Sequence, residues 1–217
     1  MHVVIAGGHG KIALILERLL TARGDTVSGL IRNPDHSADL EAAGAQAVVL
    51  DLEQATLEQV TAAVHGADAV VFAAGAGPGS GAARKQTVDH DAAVLLADAA
   101  EAAGVVRYVM VSAISADDRS LDAGYDEVYR AYIRAKSDAD ADVSARPGLR
   151  TTIVRPGRLT DDAGTGTVHV AESTGPGAIP REDVAAVLLA VLDAPGTAGR
   201  TFELIGGSTP ITAALTS

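Results

Sequence analysis

Runs of apolar residues recur along the chain at regular intervals and alternate with stretches of helical periodicity. Each run is continuously apolar, which is typical of strands buried on both faces of a parallel sheet. The predicted strands are residues 2–6, 26–31, 45–50, 68–74, 106–112 and 150–156. The predicted helices between them are residues 11–22, 36–43, 55–65, 83–103 and 124–145. This alternation predicts right-handed strand–helix–strand crossovers and therefore an α/β fold with a doubly wound parallel sheet.

The pattern changes after Pro156, where glycine, threonine and aspartate become frequent. Three further elements are predicted: a strand at 166–171, a helix from near Pro180 to before Pro195, and a strand at 201–206. The helix bounds rest on proline, which is favoured in the first turn of a helix and cannot continue a preceding one. Because the 217 residues show no linker or repeat, we expect one domain, 1–217, with a small appendage.

Composition and charge narrow the range of partners. The formal net charge of −11 argues against nucleic acid and anionic membrane surfaces, which both require a basic footprint. No apolar run approaches the roughly 18 residues that span a bilayer, and no secretory signal pattern opens the sequence. The chain has no cysteine, and its 6 histidines lack metal-ligand spacing. We therefore expect a cytoplasmic protein without a metal, whose partner is a small-molecule substrate.

A glycine-rich turn joins the first strand to the first helix. Gly7, Gly10 and Ala13 have the spacing G-x-x-G-x-x-A that lets a dinucleotide diphosphate approach the backbone at a helix N-terminus. The phosphate loop of nucleotide hydrolases is disfavoured, because Ile5 and Ile12 stand where that motif needs a glycine and a hydroxyl. A purely structural turn is the alternative. The position between a strand and a helix favours coenzyme binding.

The end of the second strand indicates which dinucleotide is bound. NAD sites place Asp or Glu there for the ribose 2′-hydroxyl, whereas this chain places Arg32. A guanidinium can grip a 2′-phosphate through paired charge-assisted hydrogen bonds, so the sequence favours NADP(H) over NAD(H). The alternative is an ordinary solvated arginine. After the third strand, Asp51 and Leu52 are candidates for the adenine edge, although Asp51 is equally suited to a helix N-terminus.

Several motifs in chain order resemble the atypical short-chain dehydrogenase/reductase family. They are GGHGKI (7–12), LIR (30–32), Asp51–Leu52, FAAG (72–75), Val88–Asp89, the run 99–115, TIVRPGRLT (152–160) and the helix 181–193. Within that family the likeness is to the small NAD(P)-binding, NmrA-like and flavin-reductase-like members. It spans nearly the whole chain, which makes it more specific than any single motif.

The resemblance implies a Rossmann fold with a short C-terminal substrate lobe made of residues 157–180 and 200–217. It implies a loop over the coenzyme at 77–81. Separately, we expect a monomer or homodimer. The coenzyme-binding residues that it implies are Gly7, Gly8, His9, Gly10, Lys11, Ile12, Arg32, Asp51, Leu52, Ala73, Ala74, Gly75, Ser112, Lys136 and Pro156.

Tyr132 and Lys136 have the spacing of the family's catalytic pair. One helical turn separates them, so the ammonium can lower the phenol pKa and hold the nicotinamide ribose. The alternative is a packing stripe, because Tyr125 and Tyr129 continue the same helical face. The family's oxygen-holding Ser or Thr aligns with Ala113, so Ser112 or Ser115 would have to take that role, and Ser112 is our candidate.

These observations lead to one leading hypothesis and two alternatives. The leading hypothesis is an NADP(H)-dependent oxidoreductase that transfers a hydride to or from a small uncharged carbonyl, quinone or flavin-like substrate. Tyr132 would donate the proton, Lys136 would orient it and Ser112 would hold the oxygen. The first alternative is a redox sensor that binds NADP(H) without chemistry. A sugar-nucleotide epimerase ranks lower, because the C-terminal lobe is small.

Overall fold

The computed structural model describes residues 1–77, 79–117 and 126–216. Within these residues the helices are α1 (Lys11–Ala22), α2 (Ser37–Ala42), α3 (Leu57–Val64), α4 (Ala82–Arg84), α5 (Ala92–Ala103), α6 (Glu127–Ser144), α7 (Arg181–Asp193) and α8 (Ile211–Ala214). The first six strands are β1 (His2–Ala6), β2 (Thr26–Ile31), β3 (Gln46–Val49), β4 (Ala69–Phe72), β5 (Arg107–Val111) and β6 (Arg150–Pro156). The remaining strands are β7 (Arg158–Thr160), β8 (Thr167–Ala171), β9 (Ala178–Pro180), β10 (Arg200–Gly206) and β11 (Thr209–Pro210).

A central sheet organises the described part of the chain. Its strand order is β11-β8-β10-β6-β5-β4-β1-β2-β3, and the strands from β10 to β3 run parallel. Strand β8 is antiparallel to β10, and β7 pairs with β9 in a separate two-stranded sheet. The predicted doubly wound α/β fold is confirmed. Its chain order reverses at β1, so a crevice opens beyond the carboxyl ends of β1, β2 and β4.

Two apolar layers cover the sheet. One layer contains the buried face of α1, including Leu16 and Leu20, together with Val184 and Leu188 of α7. The other contains the alanines of α5 and the inner faces of α3 and α6. Alanine is frequent on these helices, so they pack closely on a sheet whose own side chains are mostly Val, Ile and Leu. None of the described helices is long and apolar enough to cross a membrane.

The C-terminal segments lie at one end of the sheet. Strand β10 pairs with β6, and β8 and β11 follow it, so residues 200–210 extend the main sheet. The loop segment that the sequence predicted at 157–180 contains two additional short strands, β7 and β9. Its role as a substrate lobe stays a prediction.

The predicted helix 83–103 is interrupted. Residues Lys85–Asp91 form a π-helical segment between α4 and α5. The wider turn adds one residue to each hydrogen-bonded ring and is often found at functional sites. Here it turns the side chains of Lys85, Val88 and Asp89 inward, where all three are buried. This segment therefore brings charged groups from one helix to the carboxyl edge of the sheet.

Candidate coenzyme and active site

The glycine turn after β1 is built for close backbone approach. Gly7 has a φ of +82°, and a Cβ at this position would lie 2.6 Å from the Ala74 Cα. The N–H of Gly10 donates to the Gly7 carbonyl at 2.8 Å, which closes the turn. Gly8 lies against Gly29, where a Cβ would approach the Gly29 Cα to 2.8 Å. Side chains at these positions would push β2 and the loop after β4 away from the turn.

Helix α1 begins at this turn with its N-terminus free of a side-chain cap. Gly10 is the N-cap residue and makes no side-chain hydrogen bond, and the first turn contains no acidic residue. The Lys11 ammonium donates to Asp161 at 2.6 Å, so its side chain lies toward the loop after β7. Ile12 packs its side chain into the core. The N–H groups and positive dipole end of α1 are therefore suited to an anion such as a diphosphate.

A cleft of about 260 Å³ opens beside the turn. The predicted coenzyme residues that line it are Gly7, His9, Gly10, Arg32, Asp51, Leu52, Ala73, Ala74 and Gly75. The structure thus brings together the ends of β1, β2, β3 and β4, as their common parallel direction requires. The cleft is bounded on its other side by Val88 and Ala92 of the π-helical segment and α5.

Three groups at the mouth of the cleft form an ionic cluster. The Glu53 carboxylate lies 3.6 Å from Arg32 Nη1 and accepts a hydrogen bond from Arg84 Nη2 at 2.5 Å. The hydrogen bond from Arg84 is the largest influence holding the Glu53 pKa below its ordinary value. Asp51 accepts a hydrogen bond from the Glu53 N–H at 3.1 Å, so it shapes this loop as well as lining the cleft. Sequence reasoning missed Glu53 and Arg84, since neither occupies a recognised motif position.

Two histidines lie at the same mouth. The rings of His9 and His36 stack with centroids 3.5 Å apart, and His9 Nε2 lies 2.8 Å from Asp39 Oδ2. His36 also lines the cleft. The predicted contact of His9 with the coenzyme is compatible with this position at the edge of the glycine turn.

Asp89 connects the coenzyme loop after β4 to the candidate catalytic lysine. Its carboxylate accepts a hydrogen bond from the Ala76 N–H at 3.3 Å, and its Oδ1 lies 3.3 Å from Lys136 Nζ. A Cβ at Gly75 would lie 3.3 Å from Asp89 Oδ1, so the loop needs a small residue there. Lys136 also donates to the Val111 carbonyl at 3.2 Å. Both members of this ion pair are buried.

Ser112 belongs to a second buried network. Its hydroxyl donates to Asp140 Oδ2 at 2.8 Å, and Arg155 Nε donates to the same oxygen at 2.8 Å. Arg155 also forms a two-pronged pair with Asp117. Burial raises the pKa of Asp140, and Arg155 opposes that rise. Asp140 lies four residues after Lys136, so both side chains are on the same, buried face of α6. A charged residue at that spacing is the feature of the sequence that could have revealed this network.

The loop after β5 is held by backbone contacts. The Ile114 N–H donates to the Pro156 carbonyl at 3.0 Å, which joins the ends of β5 and β6. Ser115 has a φ of +59°, which is uncommon for a residue with a side chain, and its N–H donates to Glu203 at 2.8 Å. Ser112 therefore opens a loop whose backbone is fixed by Pro156 at the end of β6 and by Glu203 of β10.

Tyr132 is partly buried on α6. The Lys85 ammonium lies 5.3 Å from the centroid of its ring, and the ring of Tyr129 lies 6.2 Å away. Burial, followed by the charges of Asp89 and Asp140, raises the pKa of Tyr132 above its ordinary value. This direction is opposite to the lowering expected from Lys136, because burial is the largest influence on the phenol and the charges of Asp89 and Asp140 add to the rise. Tyr125, the first residue of the predicted stripe, lies outside the described residues.

The residues present fit a nicotinamide dinucleotide. The glycine turn leaves no room for a Cβ, no side chain caps α1, and the cleft continues from the turn to the ends of β2 and β3. These features define the class of NAD(P)-binding Rossmann proteins. The chain matches the model of a family described as NAD(P)H-binding over residues 7–195, and it belongs to that family.

Known proteins resemble the chain over its full length. A Bacillus subtilis (strain 168) protein named "Uncharacterized sugar epimerase YhfK" is 40% identical over 216 residues, with 99% of each chain covered. A solved Bacillus halodurans protein, provisionally named an NAD-dependent epimerase/dehydratase, is 36% identical with a TM-score of 0.90 and coverage of 100% and 99%. The oxidoreductase ylbE from Lactococcus lactis is 26% identical with a TM-score of 0.88 and coverage of 100% and 95%. The resemblance to the atypical short-chain dehydrogenase/reductase family is confirmed.

Proposed function

We propose that the protein is an NADP(H)-dependent oxidoreductase that transfers a hydride to or from a small uncharged carbonyl, quinone or flavin-like substrate. The observation that carries the proposal is the cleft, which runs from an uncapped helix N-terminus to the exposed Arg32 guanidinium at the end of β2. Arg32 has 58% of its side chain exposed, so it is available to an incoming phosphate. The family membership supports coenzyme binding, and the solved oxidoreductase from Lactococcus lactis supports the type of reaction.

The preference for NADP(H) follows from the charge at the end of β2. The position where an NAD site presents a carboxylate to the ribose holds Arg32 instead. A guanidinium favours the doubly charged 2′-phosphate, since charge-assisted hydrogen bonds are roughly twice as strong as neutral ones. In this proposal the turn 7–12 holds the diphosphate, Asp51 and Leu52 face the adenine, and Ala73–Gly75 support the adenosine ribose.

The catalytic roles fall to residues at the ends of β5 and β6 and on α6. A bound nicotinamide coenzyme supplies or accepts a hydride. Tyr132 is the proposed proton donor in a reduction, and its phenol is protonated at neutral pH. Burial raises its pKa, whereas a proton donor works best when its pKa lies near the pH of the reaction, so in this proposal the bound coenzyme and substrate must lower it. Lys136 is fixed by Asp89 and the Val111 carbonyl, and in this proposal it contacts the nicotinamide ribose beside Pro156.

Ser112 would hold the substrate oxygen after its hydroxyl leaves Asp140.

Coenzyme titration and a substrate panel test the proposal. Calorimetry with NADPH and NADH should show binding of both, with the tighter constant for NADPH. Loss of absorbance at about 340 nm should then follow addition of a quinone, a flavin or an aldehyde. No heat with either coenzyme would refute the coenzyme site. Equal affinities would refute the NADP(H) preference.

The coenzyme assay, together with an analysis of sugar products, distinguishes the two alternative functions, a redox sensor and an epimerase. A protein that binds NADPH, consumes none across the panel and interconverts no sugar epimers would be a sensor, and the occupied Lys136–Asp89 and Ser112–Asp140 pairs favour that alternative. The name of the Bacillus subtilis relative favours epimerisation. An epimerase would leave the coenzyme unchanged after turnover and interconvert two sugar epimers, which chromatography of the products detects.

A further inference from the structure

Glu53 stands between two arginines that come from different parts of the sheet edge. Arg32 follows β2, whereas Arg84 ends α4 beyond β4. Both guanidinium groups and the Glu53 carboxylate line the cleft where the adenosine end of a dinucleotide is proposed to bind. Their common partner brings the two arginines to the same side of the cleft mouth.

A carboxylate at this place has two opposite interpretations. As a free acceptor, it would bind ribose hydroxyls and select NAD. As a partner of arginine, it would orient a guanidinium for a phosphate. The structure distinguishes the two through the hydrogen bonds that Glu53 already accepts.

The acceptor capacity of Glu53 is taken up by protein groups. Its Oε1 accepts from Thr87 Oγ1 at 2.7 Å and from Arg84 Nε at 3.3 Å. Its Oε2 accepts from Arg84 Nη2 at 2.5 Å and faces Arg32 Nη1 at 3.6 Å. An ionised carboxylate has about four acceptor positions, so these donors leave little capacity for a ribose. Glu53 is also mostly buried, with 18% of its side chain exposed.

The two arginines differ in how firmly they are held. Arg84 forms a two-pronged pair with Glu53, a geometry that fixes the plane of the guanidinium, and it is 36% exposed. Its Nη1 is not among the atoms that donate to Glu53. Arg32 makes the longest contact of the cluster and is 58% exposed. One guanidinium is therefore pre-oriented at the cleft, and the other is free to turn toward a ligand.

We propose that Arg84 is a second guanidinium of the 2′-phosphate site, and that Glu53 is the positioning residue that aims it. This inference rests on the NADP(H) preference proposed above. In this proposal Arg32 contacts the phosphate from the end of β2. Arg84 contacts it from the side of the π-helical segment, with its guanidinium plane already fixed by Glu53. Discrimination between NADPH and NADH then depends on α4 as well as on the end of β2.

Dissociation constants for NADPH and NADH, measured by fluorescence quenching on the full chain, test this assignment. Arg84→Ala should weaken NADPH about tenfold or more, because one charged hydrogen-bond donor is lost, and leave NADH within about twofold. Glu53→Gln should weaken NADPH in the same direction, with NADH again nearly unchanged. Arg150→Ala is the matched control, because this exposed arginine lies at the amino end of β6 on the opposite edge of the sheet.

Each contrary result has a defined meaning. Improved NADPH binding and weakened NADH binding in Glu53→Gln would show that Glu53 serves the ribose, which overturns the inference. If Arg32→Ala loses the preference for NADPH over NADH but Arg84→Ala keeps it, the inference about Arg84 is overturned while the proposed function is preserved. Equal affinities in the wild type would overturn both. If Arg84→Ala does not fold, Arg84→Lys retains the charge without the planar fork and should lose part of the NADPH preference.

Discussion

Lys136 Nζ lies 3.3 Å from Asp89 Oδ1 in an ion pair whose side chains are 4% and 1% exposed. Such a pair is costly to separate, since either charge alone would be buried without a partner. The pair joins α6 to the π-helical segment, and Asp89 also accepts the Ala76 N–H of the loop after β4. The geometry of the candidate catalytic lysine is therefore set by a carboxylate that also shapes the coenzyme loop.

Asp89→Asn should lower both the stability of the protein and the pKa of Tyr132. Stability falls by about 3 kcal/mol, because the buried Lys136 ammonium loses its counter-charge. The phenol pKa falls because the Asp89 charge that helps to raise it is gone. Urea denaturation measures the first effect, and alkaline titration of the phenolate absorbance measures the second.

Two further variants complete the Asp89 experiment. Asp91→Asn is the matched control, because Asp91 lies on the same segment with its carboxylate 53% exposed. Repeating the titration in a Tyr132→Phe background assigns the shifted phenol. A Tyr132 titration that is the same in Asp89→Asn and in the wild type would show that Asp89 does not control the phenol.

Tyr132→Phe should lower kcat for aldehyde reduction about a hundredfold, because the variant lacks the proton donor. The dissociation constant for NADPH should stay unchanged, since the phenol is assigned to the substrate and not to the coenzyme. Single-turnover kinetics with NADPH measure the chemical step. Tyr129→Phe, one turn earlier on α6, serves as the control for removing a tyrosine hydroxyl. An unchanged rate in Tyr132→Phe would remove the tyrosine from the mechanism.

The large elements were predictable because their physical signals are local. Continuous apolar runs marked the parallel strands, and the glycine spacing marked the turn at Gly7–Gly10. The strands β7, β9 and β11 were missed, since segments of two or three residues carry no periodicity. The π-helical segment was missed for a related reason. The wider turns span only the seven residues Lys85–Asp91 and leave the helical pattern of the flanking segments almost unchanged.

The ionic partners were not predictable in the same way. Glu53 and Arg84 are ordinary charged residues in sequence, and the Val88–Asp89 motif gives Asp89 no partner, so only the fold brings each of the three to its partner. Asp140 is the exception, since it stands on the same face of α6 as Lys136 at a spacing of four residues. A charged residue on a helical face that otherwise packs on the sheet can therefore be used to predict a buried ionic network from the sequence.

Gly7→Ala should destabilise the protein more than Gly66→Ala does. Both glycines have a positive φ, of +82° and +75°, so each substitution costs about 1–2 kcal/mol of backbone strain. Only at Gly7 would the new Cβ also collide with backbone, 2.6 Å from the Ala74 Cα, whereas nothing lies within 4 Å at Gly66. Because both variants carry the backbone strain, the difference between their free energies of unfolding in urea measures the effect of the collision. Equal losses of stability would show that the turn and the loop after β4 separate freely.

Glu17 provides the last prediction, because its carboxyl is fully buried on α1 and neither oxygen has a hydrogen-bond partner within the described residues. Burial raises its pKa to about 8, against an opposing effect of Arg18. Between the unfolded pKa of 4.5 and about 8, the folded carboxyl keeps a proton that the unfolded chain releases. The contribution of Glu17 to the free energy of unfolding should therefore fall as pH rises, by about 1.4 kcal/mol per pH unit.

Urea denaturation at several pH values between 5 and 8 measures this dependence in the wild type and in Glu17→Gln. The amide cannot ionise, so the stability of the variant relative to the wild type should increase steadily with pH across this range. Glu41→Gln on the exposed face of α2 is the control, and its difference from the wild type should not follow that rise. If the Glu17→Gln and wild-type curves run parallel, Glu17 is already ionised in the folded protein and must have a partner. A buried neutral carboxyl beside Gly8 and Gly29 accounts for the predicted slope.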